Sequence, residues 1–238
     1  MSADLFIRSY YKDFRWLAYC LKSIERYAHG FRDVILVVPA SSAQRLSWSG
    51  LGRTVTTHIC DEFPDDYLGQ QVTKMLADHY SDADFICHVD SDCIFRRHIT
   101  PFDLISGERP IMPMVAYSAL RHDKGWQRLS ERFMRHAVEF DFMRRQPFVY
   151  PRWIYSSLRD YSMRVHGMSL PAYILSQPRR GFSEFNAMGA YAYYHHFRDF
   201  SWLQTDFVER DQSICRWFWS WDRISAEDQD EIASILMG

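Results

Sequence analysis

The run Val34 to Val38, "VILVV", closed by Pro39, restricts the fold more than any other stretch of the chain. An unbroken apolar run of this length suits a strand covered on both faces, and it would strand half its side chains in water on a one-sided sheet. The flanking sequence supplies the covers. Leu5 to Ser9 ("LFIRS") is a short apolar strand, and Phe14 to Tyr27 places Leu17, Leu21, Ile24 and Tyr27 at helical spacing, so the opening reads as a β-α-β unit. A short helix over 42–46, a third strand over 54–59 ("TVTTHI"), a helix over 69–80 with Val72, Leu76 and Tyr80 on one side, and a fourth strand in "DFICHVD" continue the alternation. The pattern predicts an α/β fold with a mostly parallel central sheet flanked by helices.

After Phe95 the rhythm fades. "RPIMPMVAY" at 109–117 predicts a further strand whose prolines limit its pairing. Helices are expected over 130–140 and 151–167, the second with Pro in its first turn and Gly after its end. "FNAMGAYAYYHH" and "DQSICRWFWSW" are apolar and aromatic, and their type is left open. The 238 residues contain no repeat, low-complexity tract or Ser/Gly-rich linker, so one domain is expected over 1–238, with an α/β half over 1–101 and an irregular, aromatic-rich half over 102–238.

Charge and cysteine usage narrow the partners. With 28 basic and 30 acidic residues the chain has no global field for nucleic acid or an anionic membrane, although a local basic patch and peripheral membrane contact stay open. The five cysteines are odd in number, widely spaced and free of CxxC pairs, which suggests reduced core residues in a cytoplasmic protein. No basic leader precedes an apolar run, and no stretch approaches the roughly 18 apolar residues of a spanning helix, so neither export nor a transmembrane segment is expected.

The chemistry concentrates in "FICHVDSDCIF", Phe85 to Phe95, where an apolar strand ends on two carboxylates. Ligands of open parallel sheets bind beyond the carboxyl ends of the strands. On an extended backbone Asp90 and Asp92 point to the same side and can face one hard cation, Mg²⁺ or Mn²⁺, alone or with a phosphate-bearing ligand. The alternative is that Asp90 caps a following turn and Asp92 is solvated.

"DLFIRSYYKDFRWLAYCLKSIERY…DVILVVP", followed by "GQQVTKMLADHYSDADFICHVDSDCIF", resembles the nucleotide-sugar-dependent glycosyltransferases of the GT-A fold, particularly compact bacterial or viral ones. The likeness covers about Asp4 to Pro101 and returns in "FSEFNAMGAYAYY". It implies a nucleotide-diphosphate-sugar donor over the strand ends, a divalent metal between the DSD and the diphosphate, and a glycan or glycolipid acceptor on the 102–238 side. On this resemblance Asp90 lies nearer the ribose and metal, Asp92 is the direct metal ligand, and Arg8, Ser9 and Tyr10 lie where the base and ribose are received. For Tyr10 simple packing is the equal alternative. Gln71 and Lys74 stand one helical turn apart, and Lys74 reaches the diphosphate unless it belongs to a solvated helix face.

Inverting transfer needs a carboxylate to take the acceptor's proton. Glu184, between Phe182 and Phe185, is the first candidate, with helix capping or pairing to Arg179 or Arg180 as the alternative; Asp211 in "ERDQSI" is the rival base. His195, adjacent to His196, is the candidate third metal ligand, against the commoner role of a buried hydrogen-bonded histidine. Arg179 and Arg180 offer forked donors to phosphate or form a solvated turn. Trp126, in a loop-like context, is expected to stack on an acceptor sugar, while the alternating Trp residues of "RWFWSW" are expected in the core. Three rivals remain. A haloacid-dehalogenase-like phosphatase would use Asp90 and Asp92 but lacks Gly-Thr after them; a nucleotidyltransferase would need a Gly-rich first loop; and a carbohydrate-binding protein would use the aromatics alone.

Overall fold

The computed structural model describes residues 1–46, 55–120, 125–144, 146–205, 214–218 and 224–237. β1 (Ala3–Arg8), α1 (Phe14–Tyr27), β2 (Val34–Pro39), α2 (Ala40–Ala43), β3 (Val55–Cys60), α3 (Asp66–Met75) and β4 (Phe85–His88) follow in the expected alternation. These four strands are parallel in the order β3-β2-β1-β4, with Leu36 facing Ile7 on one side and Thr57 on the other, and Phe6 facing His88.

Every residue of β1 and β2 is buried, which is why their sequences run apolar without alternation. Successive residues feed opposite cores. Leu5, Ile7, Leu36 and Val38 pack with Leu17, Cys20 and Ile24 of α1, while Phe6, Ile35 and Val37 pack with Val72 and Met75 of α3.

The second half supplies β5 (Cys93–Phe95), β6 (Ile105–Ser106), β7 (Arg109–Ala116), α4 (Gly125–Met134), β8 (Phe140–Asp141), β9 (Phe148–Pro151), α5 (Trp153–His166), α6 (Leu170–Leu175), α7 (Glu184–His195), β10 (Ser201–Gln204), β11 (Cys215–Trp217) and α8 (Ala226–Met237). β9 enters the first sheet antiparallel to β4, so that sheet is mixed and draws on both halves of the chain. β7 pairs parallel with β10 and antiparallel with β6 and β8, and β5 pairs antiparallel with β11.

Several boundaries depart from expectation. β4 stops at His88, where its pairing with β1 ends; one further bond runs from Val89 N–H to the Phe6 carbonyl. Asp90 and Asp92 therefore lie on a turn, closed by Cys93 N–H donating to the Asp90 carbonyl at 3.0 Å, and not on an extended strand. α3 starts earlier than 69, because Asp65 caps it by accepting from Tyr67 N–H at 2.9 Å, and it gives way to a 3-10 turn over Ala77–His79. α4 covers Gly125–Met134 instead of 130–140, and Arg135 follows in the left-handed conformation. β7 lies inside its sheet despite Pro110 and Pro113, since β6 and β8 take only its two ends on one edge. Pro151 closes β9 and does not open α5, whereas Gly167 ends α5 as expected, at φ 68° with its N–H bonded to the Met163 carbonyl.

"FNAMGAYAYYHH" is helical. In α7 every residue from Glu184 to Ala192 is buried, so the helix is covered on all sides and shows no polar face to betray its period. All five cysteines are buried and free of disulfides. Among the described residues no helix is long and apolar enough to cross a membrane.

Candidate functional site

Strand order reverses between β1 and β4, and a cavity of about 560 Å³ opens at the carboxyl ends of these strands. Arg8 and Tyr10 enter from the end of β1, Gln71 and Lys74 from α3, Asp90 and Asp92 from the turn after β4, and Glu184 from the first turn of α7. Elements far apart in sequence thus bring most of the expected residues to one place.

Lys74 lies at the centre of the acidic groups. Its ammonium donates to Asp90 Oδ1 at 2.6 Å and to Glu184 Oε1 at 2.9 Å, with the Phe185 ring centroid 4.9 Å away. The expected alternatives for both partners are thereby replaced: Lys74 is not on a solvated face, and Glu184 pairs with Lys74 instead of Arg179 or Arg180. Burial pushes the Lys74 ammonium down, but the Asp90 and Glu184 carboxylates outweigh it and hold the group above its ordinary value. The other oxygen of Asp90 accepts from Gln146 Nε2 at 2.8 Å, and Gln146 Oε1 in turn accepts from Asp90 N–H at 3.2 Å. Glu184 Oε2 has no hydrogen-bond partner among the described residues, and Glu184 lines the cavity.

The β1 end is equally charged. Arg8 is almost fully buried and forks onto Asp66, with one arm at 2.8 Å, while its Nε has no partner among the described residues. Ser9 is buried beside it but is not part of the cavity wall. Gln71 is buried, and its Oε1 has no hydrogen-bond partner among the described residues. Tyr10 lines the cavity, its ring edge against Tyr11. Asp13, which carries no motif in the sequence, also lines it; burial and the Asp66 carboxylate push its carboxyl up to about 7, against the pull of Arg8.

The residues do not fit the metal arrangement expected from the DSD. Both oxygens of Asp90 are engaged, by Lys74 and by Gln146. His195 closes the opposite end of α7 from Glu184, between the rings of Tyr161 and Tyr191, and it does not line the cavity. A helix of 12 residues places its ends about 16 Å apart, so the expected third ligand is out of reach. Among the described residues no group of three or more His, Cys, Asp or Glu side chains is placed to hold a metal. Asp92 is 7% exposed and lines the cavity, its carbonyl accepting from Phe218 N–H at 2.9 Å. The rival base Asp211 lies outside the described residues.

Two cations of the wall come from the second half. Arg144 forks onto the fully buried Asp141 at 3.0 and 2.6 Å. Arg180 sits at φ 62° in the turn Pro178–Gly181, which Gly181 N–H closes onto the Pro178 carbonyl at 2.7 Å; Arg179 points instead to Asp65 at 3.3 Å. Trp126 lines the cavity from α4, a helix and not the expected loop, and of "RWFWSW" Trp217 lines it too, while Trp219 and Trp221 lie outside the described residues. Asp13 and Gln146 carried a signal in sequence only as polar residues beside apolar elements, which is too common to single them out. No family model matches the chain, and a search of the curated proteins finds no significant match.

Proposed function

We propose that the chain is a glycosyltransferase of the GT-A type that moves a sugar from a nucleotide-diphosphate donor to a glycan or glycolipid acceptor, with inversion at the anomeric carbon. The observation that carries this reading is the meeting, in one cavity at the switch between β1 and β4, of the acidic DSD turn, buried Lys74 and the guanidinium groups of Arg8, Arg144 and Arg180. A cavity of about 560 Å³ is of the size that encloses a nucleotide sugar.

The chemistry follows from where charge develops. As the bond between sugar and diphosphate breaks, negative charge grows on the leaving phosphate, and fixed cations stabilise it more in the transition state than in the ground state. Lys74 and the arginines are the cations at the cavity, and the carboxylates already paired to Lys74, Arg8 and Arg144 hold them in place. Glu184 offers Oε2 to the acceptor hydroxyl while Lys74 holds Oε1 and fixes the carboxylate's direction. Tyr10 presents a ring for a base, and Trp126 and Trp217 present rings for the C–H faces of an acceptor sugar.

A panel of nucleotide-diphosphate sugars, followed by thermal shift and by release of nucleoside diphosphate, tests the reading. One donor is expected to stabilise the protein and to be cleaved, with cleavage lost in Glu184→Gln while stabilisation persists. Release of inorganic phosphate from simple phosphomonoesters, or glycan binding without turnover of any donor, would replace it with a phosphatase or a binding protein respectively.

A further inference from the structure

We infer that Lys74 is the resident cation of the DSD turn, standing where a divalent ion would otherwise sit, so that nucleotide binding in this cavity does not require Mn²⁺ or Mg²⁺ on Asp90. The part about nucleotides rests on the transferase reading; the part about Lys74 and metal does not.

Three observations converge on it. Each Asp90 oxygen already has a partner: Lys74 donates to Oδ1 at 2.6 Å, Gln146 donates to Oδ2 at 2.8 Å, and the return bond from Asp90 N–H to Gln146 fixes the carboxylate's orientation at two points. An ion ligated by a remaining lone pair of Asp90 would stand beside the ammonium across a single carboxylate group, where like charges repel.

Lys74 is also held in place. Its side chain is 4% exposed, so little room is left for the ammonium to swing out. It projects from the part of α3 where Thr73 Oγ1 bonds to the Gly69 carbonyl at 2.8 Å, and a Cβ on Gly69 would run into the Phe63 ring at 2.5 Å, so the helix is seated tightly. Glu184 accepts from the same ammonium at 2.9 Å.

Guanidinium groups also stand at the cavity, Arg8 and Arg144 each already forked onto a carboxylate that a bound phosphate would share. The Nε of Arg8 is buried and has no hydrogen-bond partner among the described residues, and Arg144 and Arg180 line the same cavity. Guanidinium forks can neutralise a diphosphate directly, a role that a bridging metal fills elsewhere.

The test has two arms. In the first, the parent protein is titrated with Mn²⁺ and the free-ion signal is followed by electron paramagnetic resonance. No stoichiometric binding is expected; one-to-one binding that is lost in Asp90→Asn overturns the inference. Lys74→Ala frees Asp90 and Glu184 in a shared space and is expected to tighten Mn²⁺ binding by about tenfold or more, since paired carboxylates are the ligands a hard cation prefers. A folded Lys74→Ala that binds Mn²⁺ no better than the parent also overturns it, and if that variant does not fold the titration of the parent protein decides.

In the second arm UDP, GDP, ADP and CDP are compared by thermal shift in EDTA and in Mn²⁺. At least one is expected to raise Tm equally in both. Stabilisation only with Mn²⁺ overturns the inference and leaves the transferase reading standing. No stabilisation in either buffer removes the transferase reading, and the Mn²⁺ titration alone then decides whether Lys74 is the cation of the turn.

Discussion

Lys74 Nζ and Asp90 Oδ1 stand 2.6 Å apart, joining the last turns of α3 to the turn that follows β4. Each charge would be costly alone in this setting, and the pair is tolerable because Glu184 and Gln146 complete the hydrogen bonding around it. Replacing Lys74 with Met removes the cation and leaves Asp90 and Glu184 facing each other. A loss of about 3–5 kcal/mol is expected, because a broken buried pair leaves charge uncompensated. Asp90→Asn keeps Glu184 as a partner for the ammonium and should cost less. Urea unfolding of the parent, both single variants and the double variant reads the coupling directly. Strictly additive losses would mean that the two groups do not interact as the geometry requires.

Asp13 makes stability depend on pH in a direction unusual for a carboxylate. Its carboxyl is pushed up to about 7, against an ordinary value of 3.8, by burial and the Asp66 charge, with Asp90 adding to the push and Arg8 and Lys12 opposing it. Between roughly pH 4 and 7 the folded protein holds a proton that the unfolded chain has released, so this group's contribution falls as pH rises through that window. Above 7 both states are ionised and the full cost, on the order of 2–4 kcal/mol, persists. Asp13→Asn should therefore be more stable than the parent at pH 8, with the advantage shrinking towards pH 4. Thermal melts across that range check it, and a constant offset would count against the assignment.

What the sequence revealed depended on whether an element shows two different faces. α1 was legible because its apolar positions recur on one side and its neighbours are wet, and β2 because a run of five apolar residues has few other uses. α7 was not, since it is buried all round and its composition suits a strand equally well. β9 was missed altogether: four buried residues next to a proline carry no period, and only pairing with β4 makes them a strand. Within the site, the position of the DSD at a strand end was readable from the β-α repeats before it. The contacts of Lys74 were not, because they link residues 16 and 110 positions apart, and no local pattern encodes which acid a lysine will meet. His195 illustrates the opposite failure. A third metal ligand has to stand beside the DSD, and the helical rise carries His195 away from it.

Arg180 trades stability for position. A non-glycine residue at φ 62° is strained, and the turn from Pro178 to Gly181 holds it there while it lines the cavity. Arg180→Gly relieves the strain and should alter stability by no more than about 1 kcal/mol, because glycine's entropy cost and the lost side-chain contacts offset part of the gain. On the proposed reading the same change should weaken binding of a nucleoside diphosphate by about tenfold, as a guanidinium is removed from the cavity wall. Calorimetric titration together with urea unfolding separates the two effects. Unchanged affinity would take Arg180 out of the site.

Gly189 links the packing of α7 to the position of Glu184. A Cβ at residue 189 would overlap the Cβ and Cγ of Phe142, so the helix approaches that residue as closely as it does only because glycine is there. Phe142 cannot simply retreat, since its N–H donates to Asn186 Oδ1 at 2.8 Å, one helical turn before Gly189 on the same helix. Gly189→Ala gains up to about 1 kcal/mol in helix propensity. Against that stands overpacking of about 1–3 kcal/mol in a core with no room to adjust. A net loss of stability is expected and, on the proposed reading, slower donor cleavage, because displacing α7 carries Glu184 away from Lys74. If the urea midpoint and the donor-cleavage rate of Gly189→Ala both match the parent protein, the close approach of α7 to Phe142 does not position the acid.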